Sequence, residues 1–599
     1  MKADILTLKA LFQKDVRYVI PTFQRPYVWN QEDQWEPLWN DVRNIGEEYL
    51  EQLEELGEHK QPLAEQRAGS HFLGAVVLQQ QATGSAELEA RSVIDGQQRL
   101  TTLQLLLDAA QEVFETDGFT KEAKQLRRLV LNDEDFATAD PDHVFKLWPT
   151  LVDQEAFRRA MANELVVDGY DAMPIVQAHA FFQIQIRQWL EQQSDGAAAR
   201  AAALVVAMIG LLQMVVIDLD PTDDANIIFE TLNARGTPLL ASDLIKNSIL
   251  HRADTVGLNS EALYKNHWQG FDEQWWRTEV RQGRITRPRI DTYLNYWLTM
   301  RTGEEVSSSD VFPRFRKYSE DRSVQDVVAD IAEVSQAYKA LEGFTDRSRV
   351  GVFLYRWRVM EAGVFTPALL WLFHNRKAIG EADFEATIEA LESYLVRRMI
   401  CRMTTKDFNR LDIELASQLN AGSPQQARAI VVDRLASETS PSRVWPGDEA
   451  VRNAILELPL YQLLTRGRLR MLLEAIEDSL RGPKTEEQFV QRDLTIEHTM
   501  PQGWRAHWHL PPDAPQDAAA ARDRLVQSLG NLTLVTRALN PALSNSAWAV
   551  KRPEIEEHSV LRLKNELLKM APNDWNEALI QQRGASMADT IVSIWPRPH

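Results

Sequence analysis

The chain is nearly devoid of cysteine. Cys401 is the one thiol among 599 residues, which excludes an intrachain disulfide, a Cys-based zinc finger and an iron–sulfur cluster. It follows a stretch that reads as helical, Leu395–Ile400, so a small buried side chain is expected there rather than a catalytic thiol. A long apolar run is missing too. The longest, Ala201–Met214, spans 14 residues, short of the roughly 20 needed to cross a bilayer. A buried helix is expected, with no membrane partner. The opening residues, MKADILTLKALFQKD, are too charged for a secretory signal, and a cytoplasmic location is expected. No internal repeat or low-complexity tract is present.

Positive charge is in deficit: 66 Lys and Arg stand against 86 Asp and Glu, a net charge of −20. Phosphate contacts need Lys and Arg, so the sum argues against a general nucleic-acid binder. The distribution qualifies this. From Gln491 to His599 there are 12 basic and 12 acidic residues, while acid gathers upstream, as in Glu47–His59. Such a body either limits casual DNA binding or is simply a solvated surface.

Element patterns divide the chain into three blocks and predict an α+β multidomain protein. Residues 1–255 mix strands (Tyr18–Ile20, Phe72–Gln79, Met214–Leu219) with a mostly helical insert at about 100–210. Residues 256–485 show apolar residues at helical spacing throughout. Residues 486–599 open on a strand-like segment, DLTIEH. The 17 tryptophans include the groups Trp268, Trp275 and Trp276, and Trp504 and Trp508; most are read as core, with a base-stacking platform as the alternative for one or two.

The last block carries the clearest chemistry. It reads Ile496-Glu497-His498-Thr499-Met500-Pro501-Gln502, then Leu529-Gly530-Asn531-Leu532-Thr533-Leu534-Val535, then Asn540-Pro541. Phosphodiester hydrolysis needs a base to deprotonate water, and a neutral imidazole suits that near pH 7. It also needs charge neutralisation at phosphorus, for which carboxylate and amide oxygens hold Mg²⁺. The nine residues from Asn531 to Asn540 allow a strand to turn into a helix. Asn531 could orient the loop bearing His498, Asn540 could reach a metal, and Glu497 could be a further ligand where the strand ends. Asn545 is the alternative to Asn540. His507 and His509 are read as loop surface.

Three motifs stand in the first block: Ile20–Trp29 (IPTFQRPYVW), Val93–Thr102 (VIDGQQRLTT) and Ile228–Lys246 (IFETLNARGTPLLASDLIK). In the second, Gly96 lies at a strand–helix junction, where backbone N–H groups, the helix N-terminus and Arg99 can receive a phosphate. The competing reading is a tight turn whose Arg99 pairs with Asp95. In the third, Ser242 or Asp243 is expected to cap the following helix.

IEHTMPQ, LGNLTLV and Asn540 resemble the HNH nuclease domain of the GmrSD-type restriction family, and IPTFQRPYVW with DGQQRLTTL resembles that family's ParB-like N-terminal domain. The resemblance implies a ββα-metal (HNH) fold for 486–599, with His498 as general base and Asn531 orienting the loop. It places Glu497 and Asn540 at a Mg²⁺ or Mn²⁺ ion and Lys551 on a DNA phosphate. For 1–255 it implies a nucleoside triphosphate site at Asp95, Gly96, Gln97, Gln98 and Arg99, with Gln24 and Arg25 nearby. Fused members, including BREX-associated and phosphorothioate-sensing relatives, are phage-defence proteins. The implied function is a modification-dependent, type IV-like DNA endonuclease gated by NTP and acting as a homodimer. Two alternatives stand beside it: an NTP-dependent sensor with an idle HNH module, and an unselective, toxin-like nuclease.

Overall fold

The computed structural model describes residues 2–598 apart from 22–23, 82, 85–86, 138–139, 163–168, 193–195, 221–239, 283–284, 344–346, 482–488 and 511–513. The chain divides into two compact units, Met1–Asn266 and His267–His599. The residues read as a helical middle fall, from 267 on, in the same unit as the C-terminal block.

The first unit is built on a six-stranded mixed sheet in the order β1-β6-β3-β4-β2-β5. The strands are β1 (Lys2–Thr7), β2 (Val16–Val19), β3 (His71–Gln80), β4 (Glu89–Asp95), β5 (Leu147–Trp148) and β6 (Leu212–Leu219). β2 and β4 run parallel, with Val19 opposite Ser92. The segments that follow them therefore leave the same end of the sheet, which brings the first two N-terminal motifs together. From β4 the chain enters the helix Gln97–Thr116, whose Leu100–Phe114 stretch is buried throughout. The expected Ala-rich core helix is Ala197–Val206, continued by a π-helical turn, Ala207–Leu211. The helix Ala241–Thr255 begins before Ser242, its N-cap position being Leu240 without a side-chain cap. The expected Ser242 or Asp243 cap is therefore corrected: both side chains already lie in the first turn. The core of the third motif, with Asn233 and Arg235, lies outside the described residues.

The second unit is mainly helical, with a small ribbon of β7 (Glu279–Gln282) and β8 (Ile285–Pro288) and a hairpin of β9 (Thr495–His498) and β10 (Leu532–Val535). Trp268, Trp276, Trp504 and Trp508 are all buried. A cluster including Met500, Trp504, Trp508, Val535, Trp548 and Trp575 supports the hairpin. Cys401 is half-buried, and burial pushes its thiol up to about 11, which leaves it protonated at neutral pH. No described helix is long and apolar enough to cross a membrane.

Candidate active site

Thr495 and Ile496 are β-branched, and they open a strand that ends at His498, three residues before Pro501. β9 pairs antiparallel with β10, His498 facing Leu532 and Glu497 facing Thr533. Two short helices follow, Asn540–Leu543 and Trp548–His558.

Asn531 is fully buried just before β10. Its Oδ1 accepts from the Met500 N–H at 2.8 Å and from Trp575 Nε1 at 3.0 Å. Its Nδ2 donates to the carbonyls of Met500 at 2.8 Å and Val526 at 2.9 Å, while its own carbonyl accepts from Thr499 N–H at 2.9 Å. One side chain thus clamps the loop that leaves His498. The segment is braced from behind by Arg583, whose Nη1 donates to the carbonyls of Gly530 and Leu532. Gly530 is obligatory there: a β-carbon would come within 2.2 Å of the Ile580 carbonyl oxygen.

The His498 ring is buried between two groups that its neighbours in sequence do not reveal. Its Nε2 lies 3.4 Å from Gln527 Oε1, and its ring meets Tyr461 edge-on at 4.2 Å. Gln527 in turn donates to Gln502 Oε1 at 3.3 Å. An amide oxygen only accepts, so Nε2 carries the proton and the basic lone pair sits on Nδ1. Burial pulls His498 down to about 4, with Lys551 and Arg466 acting in the same direction and Gln527 opposing. The imidazole is therefore neutral at pH 7.

Glu497 turns elsewhere, as strand alternation requires. Its Oε1 accepts from Lys551 Nζ at 2.5 Å, and Lys551 also donates to the His498 carbonyl at 2.7 Å. Burial raises the Glu497 carboxyl and lowers the Lys551 ammonium, each countered by the partner's charge. Lys551 is fully buried, and its ammonium, expected on a DNA phosphate, is held here by Glu497 and the His498 carbonyl. Asn540 Nδ2 donates to Thr495 Oγ1 at 3.2 Å and the Ile496 carbonyl at 3.3 Å. Asn545 lies against Gly503, where a β-carbon would meet it at 3.3 Å. Glu497 and Asn540 are oxygen donors of the class Mg²⁺ takes, though a cation at Glu497 must share it with Lys551. His507 and His509 are exposed.

In the first unit Gly96 has φ +88°, and a β-carbon there would meet Val76 Cγ1 at 2.5 Å. No other residue fits that junction. Gln24 Nε2 donates to the Ile94 carbonyl at 3.0 Å, and Lys246 Nζ to the Gln24 carbonyl at 3.3 Å. Gln98 accepts from Val28 N–H and donates to the Pro26 carbonyl. Arg99 Nη1 donates to the Ala75 carbonyl at 2.6 Å, and its guanidinium covers Gly74. Burial lowers Arg99, with Asp95 opposing. Gln97 Oε1 is buried without a hydrogen-bond partner among the described residues. Arg25 is half-buried. The structure thus gathers Gln24, Arg25 and Asp95–Arg99 at one sheet end, though Gln24, Gln98 and Arg99 are already engaged in holding it together.

A further group was not foreseen from the sequence. Asp108, Glu112 and His179 are buried, with ligand-type atoms within 4.8 Å of one another. His179 Nε2 lies 3.0 Å from Asp108 Oδ2 and 3.7 Å from Glu112 Oε2, and Gln183 donates to Glu112. The signal for two of its three members was legible: two acids one turn apart inside the apolar run LQLLLDAAQEVF. These groups satisfy one another as a hydrogen-bonded network.

Residues 8–250 match the family model described as the GmrSD restriction endonuclease N-terminal domain. Residues 445–590 match that of the GmrSD restriction endonucleases' C-terminal domain. No match is found among curated proteins. The C-terminal match contains His498, Asn531 and Asn540 together with Tyr461 and Gln527, and the N-terminal one contains the Gly96 junction, so both candidate sites lie within the matched segments. The chain belongs to the GmrSD family of restriction endonucleases.

Proposed function

We propose that this restriction endonuclease is a modification-dependent, type IV-like enzyme of phage defence in the bacterial cytoplasm, with His498 as general base of an HNH (ββα-metal) centre. The observation that carries the reading is a buried, neutral imidazole at the end of β9, with the loop beyond it clamped by Asn531. Nδ1 of His498 takes a proton from water, the water oxygen forms a bond to phosphorus, and the bond to the leaving oxygen breaks. Asn531 acts by holding the loop. Glu497 and Asn540, with Asn545 as the alternative to the latter, would hold Mg²⁺ or Mn²⁺, which neutralises charge on the phosphate and the leaving oxygen. Asp95–Arg99 with Gln24 and Arg25 would bind a nucleoside triphosphate, the helix Gln97–Thr116 presenting its N-terminus to phosphate. Binding there would gate cutting through unequal affinity for an inhibited and a cutting state. Two cuts make a double-strand break, which fits a homodimer.

The test is cleavage of modified and unmodified DNA with Mg²⁺ or Mn²⁺, with and without each NTP. His498→Ala is expected to lower the rate at least 1,000-fold; because the ring is buried, the rate is compared at a temperature where circular dichroism shows the variant folded. Cutting that persists in His498→Ala sinks the assignment. One observation favours a second reading, an NTP-dependent sensor with an idle HNH module: Lys551 already neutralises Glu497. Under that reading wild-type protein leaves every DNA in the panel intact.

A further inference from the structure

Lys551 is buried against Glu497, and the structure offers an exposed cation beside His498. Arg466 opens the helix Arg466–Ser479 and is exposed. Its guanidinium carbon lies 3.4 Å over the Tyr461 ring, and its Nη1 donates to the Tyr461 carbonyl. The same ring meets His498 at 4.2 Å. The Tyr461 N–H donates to the Gln527 carbonyl at 3.0 Å, and the Gln527 side chain reaches His498 Nε2. A guanidinium and an imidazole are thus held by one ring and one short hydrogen-bonded path.

The charge pattern points the same way. Arg466 has no carboxylate partner among the described residues, whereas Arg468 pairs with Glu361 at 3.0 Å and Arg470 with Glu474 at 3.3 Å. The first turn of this 14-residue helix contains no acid, so a bare cation sits at the positive end of the helix dipole, an arrangement unfavourable until an anion arrives. Stacking fixes the plane of the guanidinium while leaving donors of its fork free for phosphate oxygens.

We infer that Arg466 binds a phosphate of the DNA beside the bond to be cut, and that Tyr461 is a positioning residue holding the Arg466 guanidinium and the His498 imidazole in register. The inference rests on the reading of His498 as the base. It makes the site composite, since Tyr461 and Arg466 precede the HNH-like segment in the chain.

The test uses the full-length protein. Affinity for a fluorescent duplex is measured by anisotropy across a salt series in the His498→Ala background, where no cutting is needed. Adding Arg466→Ala is expected to weaken binding about 5- to 10-fold at low salt and to reduce the slope of log K against log salt by about 1. Arg410→Ala, at an exposed arginine paired with Glu414, is expected to change neither. In the active background Arg466→Ala should cut about 100-fold more slowly, with Arg466→Lys recovering the salt slope but little of the rate. Tyr461→Phe, which keeps the ring, should cut within about twofold of wild type, and Tyr461→Ala should resemble Arg466→Ala. Unchanged affinity, slope and rate in Arg466→Ala, with His498→Ala inactive, overturns the inference and leaves the base assignment standing. Cutting by His498→Ala overturns the base assignment whatever Arg466 does.

Discussion

Asn531 shows what a single side chain does here. Its carboxamide makes four hydrogen bonds inside the second unit. Removing it strands two buried acceptors and two buried donors, and each unsatisfied group costs about 1–3 kcal/mol. Asn531→Ala is expected to destabilise the second unit by at least about 3 kcal/mol, read as a lower urea midpoint. Cleavage should fall even at temperatures where the variant remains folded, because the loop leaving His498 loses its clamp. A urea midpoint equal to wild type would show that the clamp is not what holds this loop. That Asn531 could hold the loop was suggested by its place before a Leu-Thr-Leu-Val strand and by the HNH resemblance; its four partners are visible only in the fold. The fate of Lys551 was not legible in the sequence. A lysine at that position reads equally as surface or core, and only the packing of the helix Trp548–His558 against β9 turns it inward.

At the scale of elements, the helix Gln97–Thr116 does two things. Its N-terminus follows Gly96, and its middle carries Asp108 and Glu112 against His179 of the helix Pro174–Glu191. Burial pushes Glu112 up to about 7, the Asp108 charge adds to this, and His179, Gln183 and Arg187 oppose it. Burial raises Asp108 as well. The folded state therefore holds protons that the unfolded chain releases above its ordinary carboxyl pKa of 4.5. Below that value the stabilising protonation is fully present, and it is lost as pH rises through about 7. The first unit should lose stability, on the order of 2–3 kcal/mol from Glu112, between about pH 4.5 and 7. Glu112→Gln should flatten that part of the pH profile of unfolding. An unaltered profile in the variant would place the dependence elsewhere. Periodicity and composition showed β2, β3, β4, β6 and this helix, but not the charged β1, the two-residue β5, or the β7–β8 ribbon inside the stretch read as helical throughout. The expected Ser242 or Asp243 cap was misplaced, because the helix starts at Ala241 and neither side chain is then in capping position.

At the scale of the whole molecule, the two proposed sites fall in different compact units. All the side chains assigned to cutting lie in His267–His599, and all those assigned to nucleotide lie in Met1–Asn266. Residues 267–599 expressed alone are expected to unfold in a single cooperative transition and to cut DNA with Mg²⁺ or Mn²⁺ without NTP. A fragment with no cooperative transition would show that the second unit depends on the first. The net charge of −20 also acts at this scale. Added salt screens the long-range repulsion from DNA while it weakens local phosphate contacts, so binding should fall with salt less steeply than the number of contacts alone implies.

The sequence by itself determined the family, the strand carrying His498, the Gly96 junction and the exclusion of an intrachain disulfide. Each of these rests on a local pattern: alternation along a strand, a glycine where φ must be positive, a spacing of two asparagines. What surrounds His498 was decided only by the tertiary structure. Tyr461 and Gln527 lie 37 and 29 residues from it in the chain, and neither belongs to a motif that names its partner. Burial, the Glu497–Lys551 pair and the stacked Arg466 arise because separate helices converge on one hairpin, and convergence of that kind leaves no periodic trace in the sequence.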